Sequence, residues 1–183
     1  MASSEPLDPL IVLTLAIIGA GPLGRRLALL AASAGYCVLL EDVMPGNLHH
    51  AQESLRQQLS PQALPAVAFV NSIEDAVRDA DLVIDCVPDE LESKLEIFWL
   101  LDRMAPPRTV IATPIVHQSI ADLASCTNRR EKCIAIAASP DDLTAGAELL
   151  LRAASFTSDE TVALLVDFFL RLGFRPVVER VTA

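Results

Sequence analysis

Gly19, Gly21 and Gly24 stand with Pro22 and Leu23 in the run Ile17-Ile18-Gly19-Ala20-Gly21-Pro22-Leu23-Gly24, and their spacing has a chemical use. Gly19 allows a sharp bend, Gly21 lets the backbone approach a phosphate closely, and Gly24 lets a following helix lie against the preceding strand. Pro22 suits the first turn of a helix, where its missing N–H leaves no bond unmade. The amides beside it, with the positive end of a helix dipole, attract phosphate. A turn of this kind cradles the pyrophosphate of a dinucleotide.

The flanking segments must then supply a strand and a helix. Leu10 to Ile18 is apolar, partly β-branched and long enough for a buried parallel strand, and Leu23 to Ala34 repeats apolar residues at helical spacing. After Gly35, a second strand from Cys37 to Leu40 ends in Glu41-Asp42. An acid about 20 positions beyond the glycines can accept hydrogen bonds from the adenosine ribose. Asp42 is the better candidate of the two, and its charge would repel the 2′-phosphate of NADP, so the expected cofactor is NAD. The competing reading is an acidic strand end in a flavodoxin-like or nucleotide-free α/β domain.

The alternation of strand and helix continues, with strands expected near 66–70, 81–87, 108–112, 132–137 and 175–179. Helices are expected over 46–59, 73–79, 90–104, 118–125 and 158–172, the last ended by Gly173. This order predicts an α/β domain built on a doubly wound, mostly parallel sheet with helices on both faces. Residues 10–183 form one such domain in this reading, and residues 1–9 form a loose leader.

At 183 residues and 52% hydrophobic content the chain can bury a substantial core. Its net charge of -10, from 24 acidic and 14 basic residues, argues against nucleic acid or an anionic membrane as a partner. The densest basic spot, Arg129-Arg130, reads as a solvated loop. Cys37, Cys86, Cys126 and Cys133 lack C-x-x-C spacing and read as reduced core or near-core residues of a cytoplasmic protein, with no metal site among them. The apolar run near the amino terminus is preceded by Glu5 and Asp8 and falls short of about 18 residues, which fits neither a secretion signal nor a membrane span.

Four motifs in order resemble the NAD-binding domain of the 3-hydroxyacyl-CoA dehydrogenases, the family that includes lambda-crystallin. They are the glycine turn, Ala34-Gly35-Tyr36-Cys37-Val38-Leu39-Leu40-Glu41-Asp42, the stretch Asp79 to Leu91, and Leu101-Asp102-Arg103-Met104-Ala105-Pro106-Pro107. The resemblance implies a Rossmann-type fold. It also implies that Asp89 and Lys94, within Val87-Pro88-Asp89-Glu90-Leu91-Glu92-Ser93-Lys94, lie near the nicotinamide half of NAD, where the family carries V-P-E-N-L-x-x-K. Asp89 is one carbon shorter than the family's Glu, and the alternative for Lys94 is a solvated helix charge.

The family's catalytic residues are not matched. Its S-N-T-S-S segment supplies a substrate-binding serine, and here Thr113-Pro114-Ile115-Val116-His117 places Val116 at that position. Its general-base histidine corresponds to Ala137 in Ala135-Ile136-Ala137-Ala138-Ser139-Pro140. A methyl group cannot take a proton, and loss of a positioned acid or base removes about 10²- to 10⁴-fold in rate. Glu148 matches the acid that orients the histidine, its alternative being a charge on an edge strand. His117 is the one substitute base in reach, its alternative being a loop histidine without chemistry.

The family continues into a helical domain that completes an acyl-CoA cleft and the dimer interface, so the expectation is that a homo-oligomer or a partner chain supplies it. The favoured reading is an NAD(H)-binding module that has lost catalysis. The alternatives are an active dehydrogenase of acyl-CoA or hydroxy acid substrates that uses His117 or a partner, and an interaction scaffold that no longer binds the dinucleotide.

Overall fold

The computed structural model describes residues 13–138, 143, 144 and 146–181. The expected leader, residues 10–12 of the first expected strand, and Ser139 and Pro140 lie outside the described residues. The first strand, β1, spans Thr14–Ile18 and is followed by α1 (Pro22–Ser33), β2 (Cys37–Glu41), α2 (Pro45–Gln58) and β3 (Val67–Val70). The chain then forms α3 (Ile73–Val77), β4 (Leu82–Asp85), α4 (Leu91–Met104), β5 (Val110–Pro114), α5 (Ile120–Ala124) and β6 (Cys133–Ala137). It closes with β7 (Glu148–Ala154), α6 (Asp159–Arg171) and β8 (Arg175–Val181).

Among the described residues these strands form one eight-stranded sheet in the order β3-β2-β1-β4-β5-β6-β7-β8. Every neighbouring pair is parallel except β6 with β7. This is the doubly wound, mostly parallel Rossmann-type sheet that the sequence predicts. The chain steps outward from β1 through β2 to β3 and returns to β4 on the other side of β1, which opens a crevice at the carboxyl ends of these strands.

Side-chain alternation along the strands divides the core. Leu15, Ile17, Val38 and Leu40 face α1, α2 and α6, whereas Ala16, Ile18, Val83 and Ile111 face α3, α4 and α5. Serine side chains start three of the helices: Ser72 accepts from the Asp75 N–H, Ser119 from those of Ala121 and Asp122, and Ser158 from that of Thr161. Helix α6 ends with the Gly173 N–H donating to Leu170 O at 3.0 Å and the Phe174 N–H to Phe169 O at 3.0 Å. The same turn brings Phe174 edge-on to Phe169, and Phe169 edge-on to Phe168, at ring separations of 5.9 and 5.0 Å. No helix among the described residues is long and apolar enough to cross a membrane.

Four expectations are corrected. Strand β7 is missing from the expected run of strands and enters the sequence reading only as the edge strand offered for Glu148, because Glu148-Leu-Leu-Leu-Arg-Ala-Ala is rich in helix formers and lacks β-branched residues; pairing on both sides overrides that preference. It also lies between β6 and β8, so Glu148 is not on an edge strand. Arg129 is no solvated loop residue: it is 9% exposed and closes the end of α4, donating to Asp102 Oδ1 and to the carbonyls of Asp102, Ala105 and Pro106. Of the cysteines, Cys37 is exposed at the start of β2, outside the core.

Phe168 is fully buried, tilted against Tyr36 at 5.1 Å as well as edge-on to Phe169. Phe168→Ala is therefore expected to lower unfolding free energy by about 3–5 kcal/mol, read from the midpoint of urea denaturation.

Candidate dinucleotide-binding site

The turn between β1 and α1 is set by a close approach. A Cβ on Gly24 would lie 1.9 Å from the Gly19 carbonyl oxygen, so only glycine allows α1 to start this near β1. Gly19 itself adopts a φ of +104°, and its N–H donates to Glu41 O at 2.8 Å, tying the turn to β2. Pro22 is the first residue of α1. Around Gly21 the space is open, and among the described residues the Gly21 and Leu23 N–H groups donate to no protein acceptor. Free amides at a helix start, facing open space, suit a phosphate.

Asp42, 8% exposed, follows β2 and fixes this turn. Its Oδ2 accepts from the Ala20 N–H at 2.9 Å and from Asn47 Nδ2 at 3.0 Å, and its Oδ1 accepts from the Met44 N–H at 2.8 Å. A carboxylate has about four acceptor sites, so capacity for a ribose hydroxyl remains. Asp42 and Gly21 line one cavity of about 470 Å³ together with Val43, Ile73, Val87 and Ile97. Glu41 lines the same cavity and is 4% exposed. Burial, and then repulsion from Asp42, push its pKa up to about 7. The sequence offers Glu41 only as the lesser of two acids for the ribose, and its alternation with Leu40 along β2, which turns it toward α3 and α4, is the signal that gives it a separate place.

The opposite wall depends on Lys94. Its ammonium is fully buried and donates to Asp85 Oδ2 at 3.1 Å, to Val87 O at 3.2 Å and to Thr113 Oγ1 at 2.9 Å. Thr113 donates in turn to Asp85 Oδ2, and the Val87 N–H donates to Asp85 Oδ1 at 3.0 Å. Burial raises the Asp85 pKa, and the Lys94 ammonium and these hydrogen bonds oppose that shift. Lys94 is thus not a solvated helix charge; it stands behind Val87 and Pro88 and holds them at the cavity wall.

Past Pro88, Asp89 reaches across to the segment after β5. Its Oδ2 accepts from the backbone N–H groups of Val116 and His117 at 2.9 and 3.0 Å, while its Oδ1 is buried and has no partner among the described residues. Pro114 pairs with Ile136, and the Ile115 N–H donates to Ile136 O, so Val116 and Ala137 both continue from neighbouring strands at the carboxyl edge of the sheet. Val116 is 60% exposed, and the His117 side chain is also exposed. Glu148 begins β7 two residues before Leu150, which pairs with Ala137. The sequence candidates therefore fall into two groups: Gly19, Gly21, Pro22, Gly24, Asp42, Val87 and Pro88 around the cavity, and Asp89, Val116, His117, Ala137 and Glu148 along the edge beyond it.

Residues 14–182 match the family described as "3-hydroxyacyl-CoA dehydrogenase, NAD binding domain". The chain belongs to this family. Its cofactor is accordingly NAD, as expected from Asp42. The human mitochondrial hydroxyacyl-coenzyme A dehydrogenase is 27% identical over 96% of this chain and 61% of its own length. The probable 3-hydroxybutyryl-CoA dehydrogenase of Bacillus subtilis is 30% identical over 64% of this chain and 45% of its own length. Among solved structures, 3-hydroxybutyryl-CoA dehydrogenase from Escherichia coli superposes with a TM-score of 0.83 at 28% identity, covering 93% of this chain and 39% of that one. The chain thus spans about half the length of the curated relatives it matches.

Two outcomes test the site's construction. Lys94→Met leaves the Asp85 charge buried without its partner, and is expected to cost about 3–5 kcal/mol; replacing both by Asp85→Leu with Lys94→Met should recover much of that in urea denaturation. Glu41 holds its proton more tightly folded, near pH 7, than at its ordinary value of 4.5, so the stability it contributes is full below 4.5 and is lost as the pH rises through about 7. Glu41→Gln should flatten that decline, seen by comparing urea midpoints of the two proteins at about pH 5 and pH 8.

Proposed function

We propose that this chain binds NAD(H) without carrying out the hydride transfer of its family. The observation that supports this reading is the pair Val116 and Ala137: they continue from adjacent strands at the sheet edge, where the resemblance places a serine and a histidine, and neither bears a group that moves a proton. The cofactor half keeps its parts, with free amides at the start of α1, the Asp42 carboxylate and an open cavity between them. Glu148, which the resemblance matches to the histidine-orienting acid, makes no hydrogen bond or ion pair with a histidine among the described residues.

A second reading, an active dehydrogenase of 3-hydroxyacyl-CoA or hydroxy acid substrates, rests on His117. Asp89 fixes the backbone of that residue at the same edge, which is a fair position for a base. Against it stands the side chain itself, exposed and joined to no described residue by a hydrogen bond.

Calorimetry with NAD and NADH, paired with an assay of acetoacetyl-CoA reduction, separates the readings. The expected outcome is dinucleotide binding with turnover at least about 10²- to 10⁴-fold below a working acid–base enzyme. Turnover that vanishes in His117→Ala would establish the second reading. Absence of binding would leave the domain as an interaction scaffold.

A further inference from the structure

The cavity that continues from the glycine turn has one feature that pyrophosphate and ribose binding leave unused. Val43, Ile73, Val87 and Ile97 give it apolar walls suited to a flat ring, and into these walls β2 sets a second carboxyl, that of Glu41. Asp42 beside it is committed to Ala20, Met44 and Asn47. Glu41 is 4% exposed, and among the described residues its carboxyl, unlike its backbone carbonyl, has no hydrogen-bond donor or ion-pair partner. The carboxyl opens on the cavity and is not sealed in the core, so a ligand that displaces water from it must bring a donor in return, and an N–H does so.

We infer that Glu41 selects the base of the dinucleotide: its carboxyl accepts a hydrogen bond from the exocyclic amine of adenine, and the cavity rejects a base with an oxo group at that place. The inference rests on dinucleotide binding by this cavity. Glu41 lies on the face of the sheet that packs α3 and α4, next to Ile18, and so meets the cavity from the side opposite α1. A base that continues into this cavity, from a pyrophosphate at α1 and a ribose at Asp42, would meet the wall that holds Glu41. Either protonation state of the carboxyl presents an acceptor oxygen to the amine.

The test compares NAD with nicotinamide hypoxanthine dinucleotide, in which an oxo group replaces the adenine amine. Dissociation constants are measured by calorimetry for the unaltered protein, Glu41→Gln and Glu41→Leu, at a pH above 7 so that Glu41 is ionised, with thermal melting to show that each variant is folded. The unaltered protein should prefer NAD by about ten- to a hundredfold. Glu41→Gln should bind the two dinucleotides alike, because its amide can turn either its oxygen or its NH₂ to the base. Glu41→Leu should lose the preference as well, through weaker binding of NAD. A residue that only fills space would weaken both dinucleotides equally, so an unchanged preference in the folded variants overturns the inference. Equal affinity of the unaltered protein for both also overturns it while leaving NAD binding intact. Failure of both to bind the unaltered protein overturns the binding reading and this inference together.

Discussion

The buried ion pair between Lys94 and Asp85 governs the geometry of the cleft more than any other contact. Removing two charges from water costs several kcal/mol per ion, and such a pair persists only where hydrogen bonds complete the remaining positions. Here they do: all three ammonium hydrogens have acceptors, and Asp85 also receives the Val87 amide and the Thr113 hydroxyl. One charge pair thereby joins the end of β4, the first turns of α4 and β5. Both polar groups of the Val87 backbone are held, so the chain leaves the sheet at a fixed angle and carries Pro88 to the cavity wall and Asp89 to the segment beyond β5.

From that fixed point the cleft divides. On one side the wall of Val87 and Pro88 faces the glycine turn, which Gly24 brings against β1 and which Asp42 and the Glu41 carbonyl tie to β2. On the other side Asp89 collects the amides of Val116 and His117 on one oxygen and leaves the other buried and bare. Among the described residues that second oxygen has no donor, which is unfavourable for a buried acceptor. The scaffolding of the edge is thus complete even though the side chains it displays are a valine and an alanine.

The sequence made the binding half legible because its requirements are local. A turn that needs glycines at fixed places, a proline at a helix start and an acid at a strand end can all be read within 26 residues, Ile17 to Asp42. The doubly wound, mostly parallel sheet followed from the alternation of elements, since right-handed crossovers leave few arrangements. What escaped depends on distant partners. β7 is a strand because β6 and β8 flank it, against the helical leaning of its leucines and alanines. Arg129 is buried because α4 ends beside it, and Lys94 because Asp85 and Thr113 await its ammonium. Glu41 seemed one half of an acidic strand end until the pleat turned it and Asp42 to different duties.

Val116 and Ala137 bear on how little the sheet edge asks of its side chains. Neither one carries the sheet: Val116 is exposed and Ala137 ends a strand whose hydrogen bonds are made by the backbone. Proton transfer needs a titratable group at hydrogen-bond distance, whereas the cavity is built from backbone amides, a carboxylate and apolar walls. Groups that line the cavity also hold the domain together, since Asp42 anchors the turn and the Lys94 network anchors the opposite wall. A side chain at the sheet edge can therefore change at little structural cost, whereas a change at Asp42 or Lys94 breaks contacts that keep the protein folded.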